Sequence, residues 1–161
     1  MPRLPDRFDL WVRLARACPR PERQVDYVLG ALVALPEWYF LNVGTKENPL
    51  PAAGEIEGAS YLLVFSDADR VAEIAEQIGP PASDYPGPVI AVPTLRALDW
   101  CVDERPMQCA GLLINPGEDA AAIPLERVAA FAREWKARPP SGFWIPNLTT
   151  AEEDFWREHG L

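Results

Sequence analysis

Eighteen prolines punctuate the 161 residues, about twice the ordinary share. They rule out any fold that needs long helices or wide central strands across their positions. Proline fixes φ and has no N–H to give to a helix or a ladder. The chain must therefore be assembled from short elements with prolines at their ends. Residues 6–18 read as a helix: Phe8, Trp11, Val12 and Ala15 recur at i, i+3, i+4 and i+7, with Leu10 and Leu14 beside them. Pro19 and Pro21 break it, and Pro21 suits the first position of a second helix. That helix carries Val25, Val28, Leu29, Leu32 and Val33 and stops at Pro36. Two short helices joined by a proline turn predict an N-terminal helical hairpin.

Beyond Pro36 the pattern changes. The bulky run 37–43 favours a strand, and 44–54 reads as a Gly/Pro/Asn loop. Residues 58–65 form a nearly continuous apolar run, as expected of a strand covered on both faces. Ser66 is placed to cap the following helix, with Asp69 as its acidic partner. Val71, Ile74, Ala75 and Ile78 share that helix's face, which ends at Gly79-Pro80-Pro81. Residues 88–92 predict a short buried strand. Pro93-Thr94 opens a helix with Leu95, Leu98, Cys101 and Val102 inward. Residues 110–114 predict the next strand, and Asn115-Pro116-Gly117 is a turn signal. Pro124 opens a helix with Leu125, Val128, Ala129, Ala132 and Trp135 on one face, closed by Pro139-Pro140. In the tail, Thr149 or Thr150 caps an acidic helix reaching about residue 159.

The alternation of strand and helix from residue 58 predicts an α/β fold of α+β-like character. Its sheet is mixed and partly parallel, of about four to five strands with flanking helices. Strand 37–43 is expected to join it through a hairpin. The expected organisation is a single domain over 1–138, including the helical hairpin, and an aromatic, acidic tail over 139–161.

Composition narrows the function classes. Apolar residues are 48% and charged residues 24%, which excludes disorder, collagen and coiled coil. The net charge is −9. Residues 1–36 carry six arginines against four acids, so the rest of the chain stands at −11. Such an acidic body repels phosphate backbones and argues against nucleic acid. Arg13 and Arg16 interrupt the only early apolar stretch, and no run approaches the roughly 18 apolar residues of a membrane span. No membrane role is expected, and the expected location is the cytoplasm. Cys18, Cys101 and Cys109 are odd in number and lack a C-x-x-C, against a disulfide framework or zinc knuckle and in keeping with a reducing compartment.

The candidate chemistry is sparse. The single histidine, His159, lies in the last three residues and reads as solvated. The cysteines read as small buried hydrophobes. Asp67/Asp69 read as acids at a helix N-terminus, and Asp99/Asp103 as a solvated face. No G-x-G-x-x-G or P-loop occurs. No catalytic residue, metal ligand or cofactor is predicted. Should a small-molecule crevice exist, it belongs where strand ends meet turns. There Ser66, Asp67, Asp69, Asn115 and Gly117 would form a polar rim. Of six tryptophans, Trp11, Trp100 and Trp135 read as packing. Phe143, Trp144, Phe155 and Trp156 read as an aromatic cluster that either docks on its own chain or contacts a protein partner.

Two stretches resemble a known family. The run Val89-Ile90-Ala91-Val92-Pro93-Thr94-Leu95-Arg96-Ala97-Leu98, followed by Leu112-Leu113-Ile114-Asn115-Pro116-Gly117, resembles the N-terminal domain of the SseB family. Leu63-Val64-Phe65-Ser66-Asp67 looks like that family's strand end. Pro21, Tyr27-Val28-Leu29 and Trp38–Val43 take the roles of its opening. The resemblance covers about residues 8–137 and does not extend to the tail or to the second domain of longer members. It implies a protein labelled as a type III secretion enhancer, with no catalytic residues to carry over. The resulting expectation is a non-enzymatic protein-binding or regulatory domain that meets a protein partner or itself. A small-ligand sensor or enzyme using the polar rim, and an immunity or chaperone-like partner protein, are the alternatives.

Overall fold

The computed structural model describes residues 7–18, 20–78, 87–101, 108–117, 121–137 and 149–159. In chain order its elements are α1 (Arg7–Arg16), α2 (Gln24–Val33), β1 (Glu37–Leu41), β2 (Ala53–Ile56), β3 (Ala59–Val64), α3 (Ala68–Ile78), β4 (Val89–Pro93), α4 (Thr94–Asp99), β5 (Gly111–Ile114), β6 (Ala121–Pro124), α5 (Leu125–Lys136) and α6 (Thr150–Glu158). The fold is mixed α/β. The chain divides into two compact units, Met1–Leu35 with Ala130–Leu161, and Pro36–Ala129.

In the second unit, β2-β3-β5-β6 form a four-stranded sheet and β1-β4 a two-stranded one. β3 and β5 are parallel, while β2/β3, β5/β6 and β1/β4 are antiparallel. The two sheets meet where Tyr39 and Phe65 exchange backbone hydrogen bonds of 3.1 and 2.8 Å. Strand β1 is covered on one face by the cluster of Leu41, Ala52, Phe65 and Val71, with Tyr39, Leu63, Ile74 and Ala75 against it. On its other face Trp38 and Phe40 are fully buried. At Gly111 a Cβ would overlap the Ile123 carbonyl and crowd the Tyr61 ring. Glycine therefore lets β5 lie between its two neighbours.

Several sequence expectations are corrected. The main partner of β1 is β4, with only its last residues returning as a hairpin: Val43 N–H donates to Leu50 O and Ala52 N–H to Leu41 O, both at 2.8 Å. Residues 53–54, read as loop, belong to β2. Strand β6 went unread because its alanines carry no β signature. Its pairing with β5 through the Asn115-Pro116-Gly117 turn supplies the order that its composition lacks. Strand β4 is not buried: its residues alternate between exposed and half-buried, with Val89 39% exposed. The buried face of α4 is Thr94, Ala97 and Leu98, continued by Cys101, and Leu95 is 53% exposed. The α3 cap is Asp67, whose Oδ1 accepts the Arg70 N–H at 3.0 Å, and not Ser66. Val102, expected on the inner face of α4, lies outside the described residues.

In the first unit α1 and α2 pack together. Phe8, Trp11, Val12 and Ala15 are buried, as their spacing predicts. Pro21–Arg23 form a 3₁₀ turn ahead of α2 rather than its first turn. The C-terminal helix α6 is capped by Thr149, whose side chain accepts the Glu152 N–H at 3.3 Å. Glu152 is fully buried. It accepts the Tyr27 hydroxyl proton, a bond from Thr149 Oγ1 at 3.2 Å and a bond from Arg20 at 3.2 Å, and it pairs with Arg23 at 3.4 Å. Beside it the Trp156 ring meets Tyr27 edge-on with centroids 5.1 Å apart.

Burial by itself would raise the Glu152 carboxyl. The Tyr27 hydroxyl, Arg23, Thr149 and Arg20 outweigh it and hold the carboxyl below its ordinary value of 4.5. Burial, and then the same bond, raise the Tyr27 phenol. Glu152 therefore contributes stability that is fully present above pH 4.5 and is lost as pH falls through the lower folded-state value. We expect Glu152→Ala to destabilise the protein by about 3 kcal/mol, since it strips the partner from buried donors. Glu152→Gln should flatten the acid limb of stability, read by urea titration between neutral and acid pH.

Candidate functional site

Three groupings of side chains could carry chemistry, and the first is the polar rim. The end of β3 and the β5–β6 turn bring Ser66, Asp67 and Asn115 together, joined by Arg70. Asn115 Oδ1 accepts the Ser66 N–H at 2.9 Å, and its Nδ2 donates to Ser66 Oγ at 3.1 Å. Arg70 donates to the same hydroxyl at 2.5 Å. That hydroxyl in turn donates to Asp67 Oδ2 at 3.2 Å. Asp69 is exposed on the first turn of α3, and Gly117 is exposed with φ +144°. Ser66 Oγ thus accepts two bonds and donates one, which exhausts its hydrogen-bonding capacity. A hydroxyl held in this way clamps two strand ends; among the described residues the base beside it is the Asp67 carboxylate, which pairs with Arg70 at 3.5 Å.

The tail aromatics are divided. Phe143 and Trp144 lie outside the described residues. Trp156 is buried against Tyr27, while Phe155 is half-buried, meets Trp156 edge-on and lies tilted against the exposed His159. His159 Nδ1 lies 2.7 Å from the Phe155 carbonyl, one helical turn back. The cysteines are buried thiols. Burial, and then Cys109, push the Cys101 thiol up to about 12, which leaves it protonated and unreactive. Asp103, the expected partner of Asp99, is outside the described residues. Among the described residues no helix is long and apolar enough to cross a membrane.

The third grouping was not read from sequence. An open cleft of about 700 Å³ runs beside β4. Its floor is Phe40, Ile90 and Val92, which share one face because Phe40 pairs with Ile90 and Trp38 with Val92. The hairpin after β1 supplies Pro49 and Pro51, and the α4 segment supplies Arg96, Asp99 and Trp100. Trp100 meets Phe40 edge-on at 5.5 Å.

Beside this cleft the backbone of β4 is open. Asn42 N–H donates to Pro88 O at 2.8 Å and Thr94 N–H to Pro36 O at 3.1 Å. These bonds set the ladder phase, so Ile90 and Val92 face β1, whereas the N–H and C=O groups of Val89 and Ala91 point away from it. Among the described residues nothing pairs with that outer edge. Val89, on the strand, is 39% exposed, and Leu95, in the first turn of α4, 53%. No protein-family model, curated protein or solved structure matches the chain.

The polar rim generates a stability prediction. Asn115 sits at φ +48°, a left-handed conformation that asparagine tolerates better than alanine. We expect Asn115→Ala to cost about 2–3 kcal/mol through two lost hydrogen bonds plus backbone strain, and Asn115→Gly about 1 kcal/mol less. Urea denaturation of the two variants checks the order.

Proposed function

We propose that the chain is a non-enzymatic protein-binding or regulatory domain of SseB-like type, and that it meets its partner at the cleft beside β4. The observation that carries this reading is the open, apolar outer edge of β4 lying against a cleft with an aromatic floor. Natural sheets blunt their edges with charge, bulges or cover. Here the exposed edge bears Val89, Ala91 and Pro93, with only the prolines limiting it. A cleft of this size, with aromatic and aliphatic side chains on its floor and Arg96 and Asp99 on its wall, has the character of a recognition site.

The SseB-like motif Val89–Leu98 occupies β4 and α4, the two elements that build the cleft. That placement supports reading the stretch as a surface as well as a scaffold. The enzyme or small-ligand reading of the Ser66 rim is less well supported, because its polar groups satisfy one another.

The test is a photo-crosslinking amino acid introduced singly at Val89, Leu95 and Ile78 in the source cells. Ile78 is 68% exposed on α3 and serves as the control. We expect a discrete protein adduct from positions 89 and 95 and none from 78. Absence of adducts at 89 and 95, or equal labelling at 78, would reject the cleft as the partner site.

A further inference from the structure

We infer that the occupant of the β4 edge is an extended apolar peptide segment bearing a carboxylate, added as a further strand to β4 and read by Arg96; this rests on the protein-binding reading above. The backbone argument comes first. Val89 and Ala91 each present an N–H and a C=O outward, two residues apart, which is the repeat at which an added strand offers its own groups. Pro93 has a carbonyl but no N–H, so the ladder ends there. The edge therefore matches a short extended segment and cannot accommodate a long one.

Side chains supply the second argument. A strand laid along β4 points every second side chain to the face of Ile90 and Val92. That face opens into the 700 Å³ cleft over Phe40 and Trp100. The alternate residues of the occupant must therefore be apolar.

The third argument is charge. Arg96 lines the cleft, is exposed and makes no ion pair among the described residues. Asp99 lines the same cleft but is engaged in a contact of its own. A guanidinium on an apolar wall offers planar, paired donors that suit a carboxylate. A second copy of this chain fits less well. The edge is only about 17 Å long, too little by itself for the roughly 1,200 Å² of a stable pair, and each copy brings a net charge of −9.

The experiment uses the full chain and synthetic eight-residue peptides with Val, Ile, Leu or Phe at alternate positions, in versions carrying one Asp, one Lys or neither. Affinity is read by fluorescence anisotropy and the edge by amide hydrogen exchange. We expect the Asp peptides to bind about tenfold more tightly than the Lys peptides, and exchange at Val89 and Ala91 to slow on binding. Arg96→Gln should erase the Asp preference. Ala91→Pro should abolish binding with the far-ultraviolet circular dichroism unchanged, because its N–H lies outside the ladder. Peptides N-methylated on the edge-facing side provide the same test without altering the protein, and they should not bind.

Equal binding of Asp and Lys peptides, binding that survives N-methylation, or no binding would overturn the inference. A dimer in sedimentation with slow Ala91 exchange before any peptide is added would assign the edge to a second copy, and so overturn it too. Crosslinks from Leu95 that persist in Ala91→Pro and Arg96→Gln would reject the strand occupant while leaving the protein-binding reading intact. Loss of crosslinks from the unaltered edge would reject both.

Discussion

The arrangement of the second unit depends on the pairing of β1 along both its edges. One edge gives its hydrogen bonds to β4, and the other gives those of Tyr39 to Phe65 and accepts the Ala52 N–H at Leu41. A strand used on both sides and covered on both faces must be apolar throughout, and the Trp-Tyr-Phe-Leu run meets that demand. The consequence falls on β4. Having β1 on one side and no described strand on the other, it becomes the end of the layer, and the cleft forms where that end meets α4 and the 42–51 hairpin. The site is thus a product of strand order, which lies beyond what the composition of β4 specifies.

The first unit is organised around a buried charge. Glu152 is stable as a carboxylate because Tyr27, Thr149, Arg20 and Arg23 replace its water. This ties the Arg20–Arg23 turn and α2, near the start of the chain, to α6, near its end. An ion-pair network of this kind tolerates apolar neighbours only if every member is present. The Trp156–Tyr27 contact and the Thr149 cap set the same geometry from either side of the carboxylate.

Parts of this were legible in the chain before folding. The i, i+3, i+4, i+7 spacing of Phe8, Trp11, Val12 and Ala15 marks a buried stripe wherever α1 lands. Thr149 and Glu152 stand at capping-box spacing, and Glu152 precedes Trp156 by one helical turn, so a buried Trp156 takes the carboxylate inward with it. Glu152 stands in an acidic run with Glu153 and Asp154, and composition alone does not separate the buried carboxylate from its exposed neighbours. The rim residues Ser66, Asp67 and Asn115 do converge, because parallel pairing of β3 with β5 aligns their C-terminal ends. Nothing local could show that the converged groups would satisfy one another.

Short-range physics lies in the sequence itself: prolines end elements, periodic apolar residues choose faces, and Asn115-Pro116-Gly117 turns the chain. Those features set the mixed α/β class, the N-terminal helix pair and most of the element list. Strand order and the exposure of β4 were decided only by tertiary structure, and so, in the other unit, was the burial of Glu152. The reason is physical: whether a strand's second edge is paired, or a charge finds its partners, depends on segments far apart in the chain. An apolar run such as Val89–Pro93 reads the same in the middle of a sheet as at its rim.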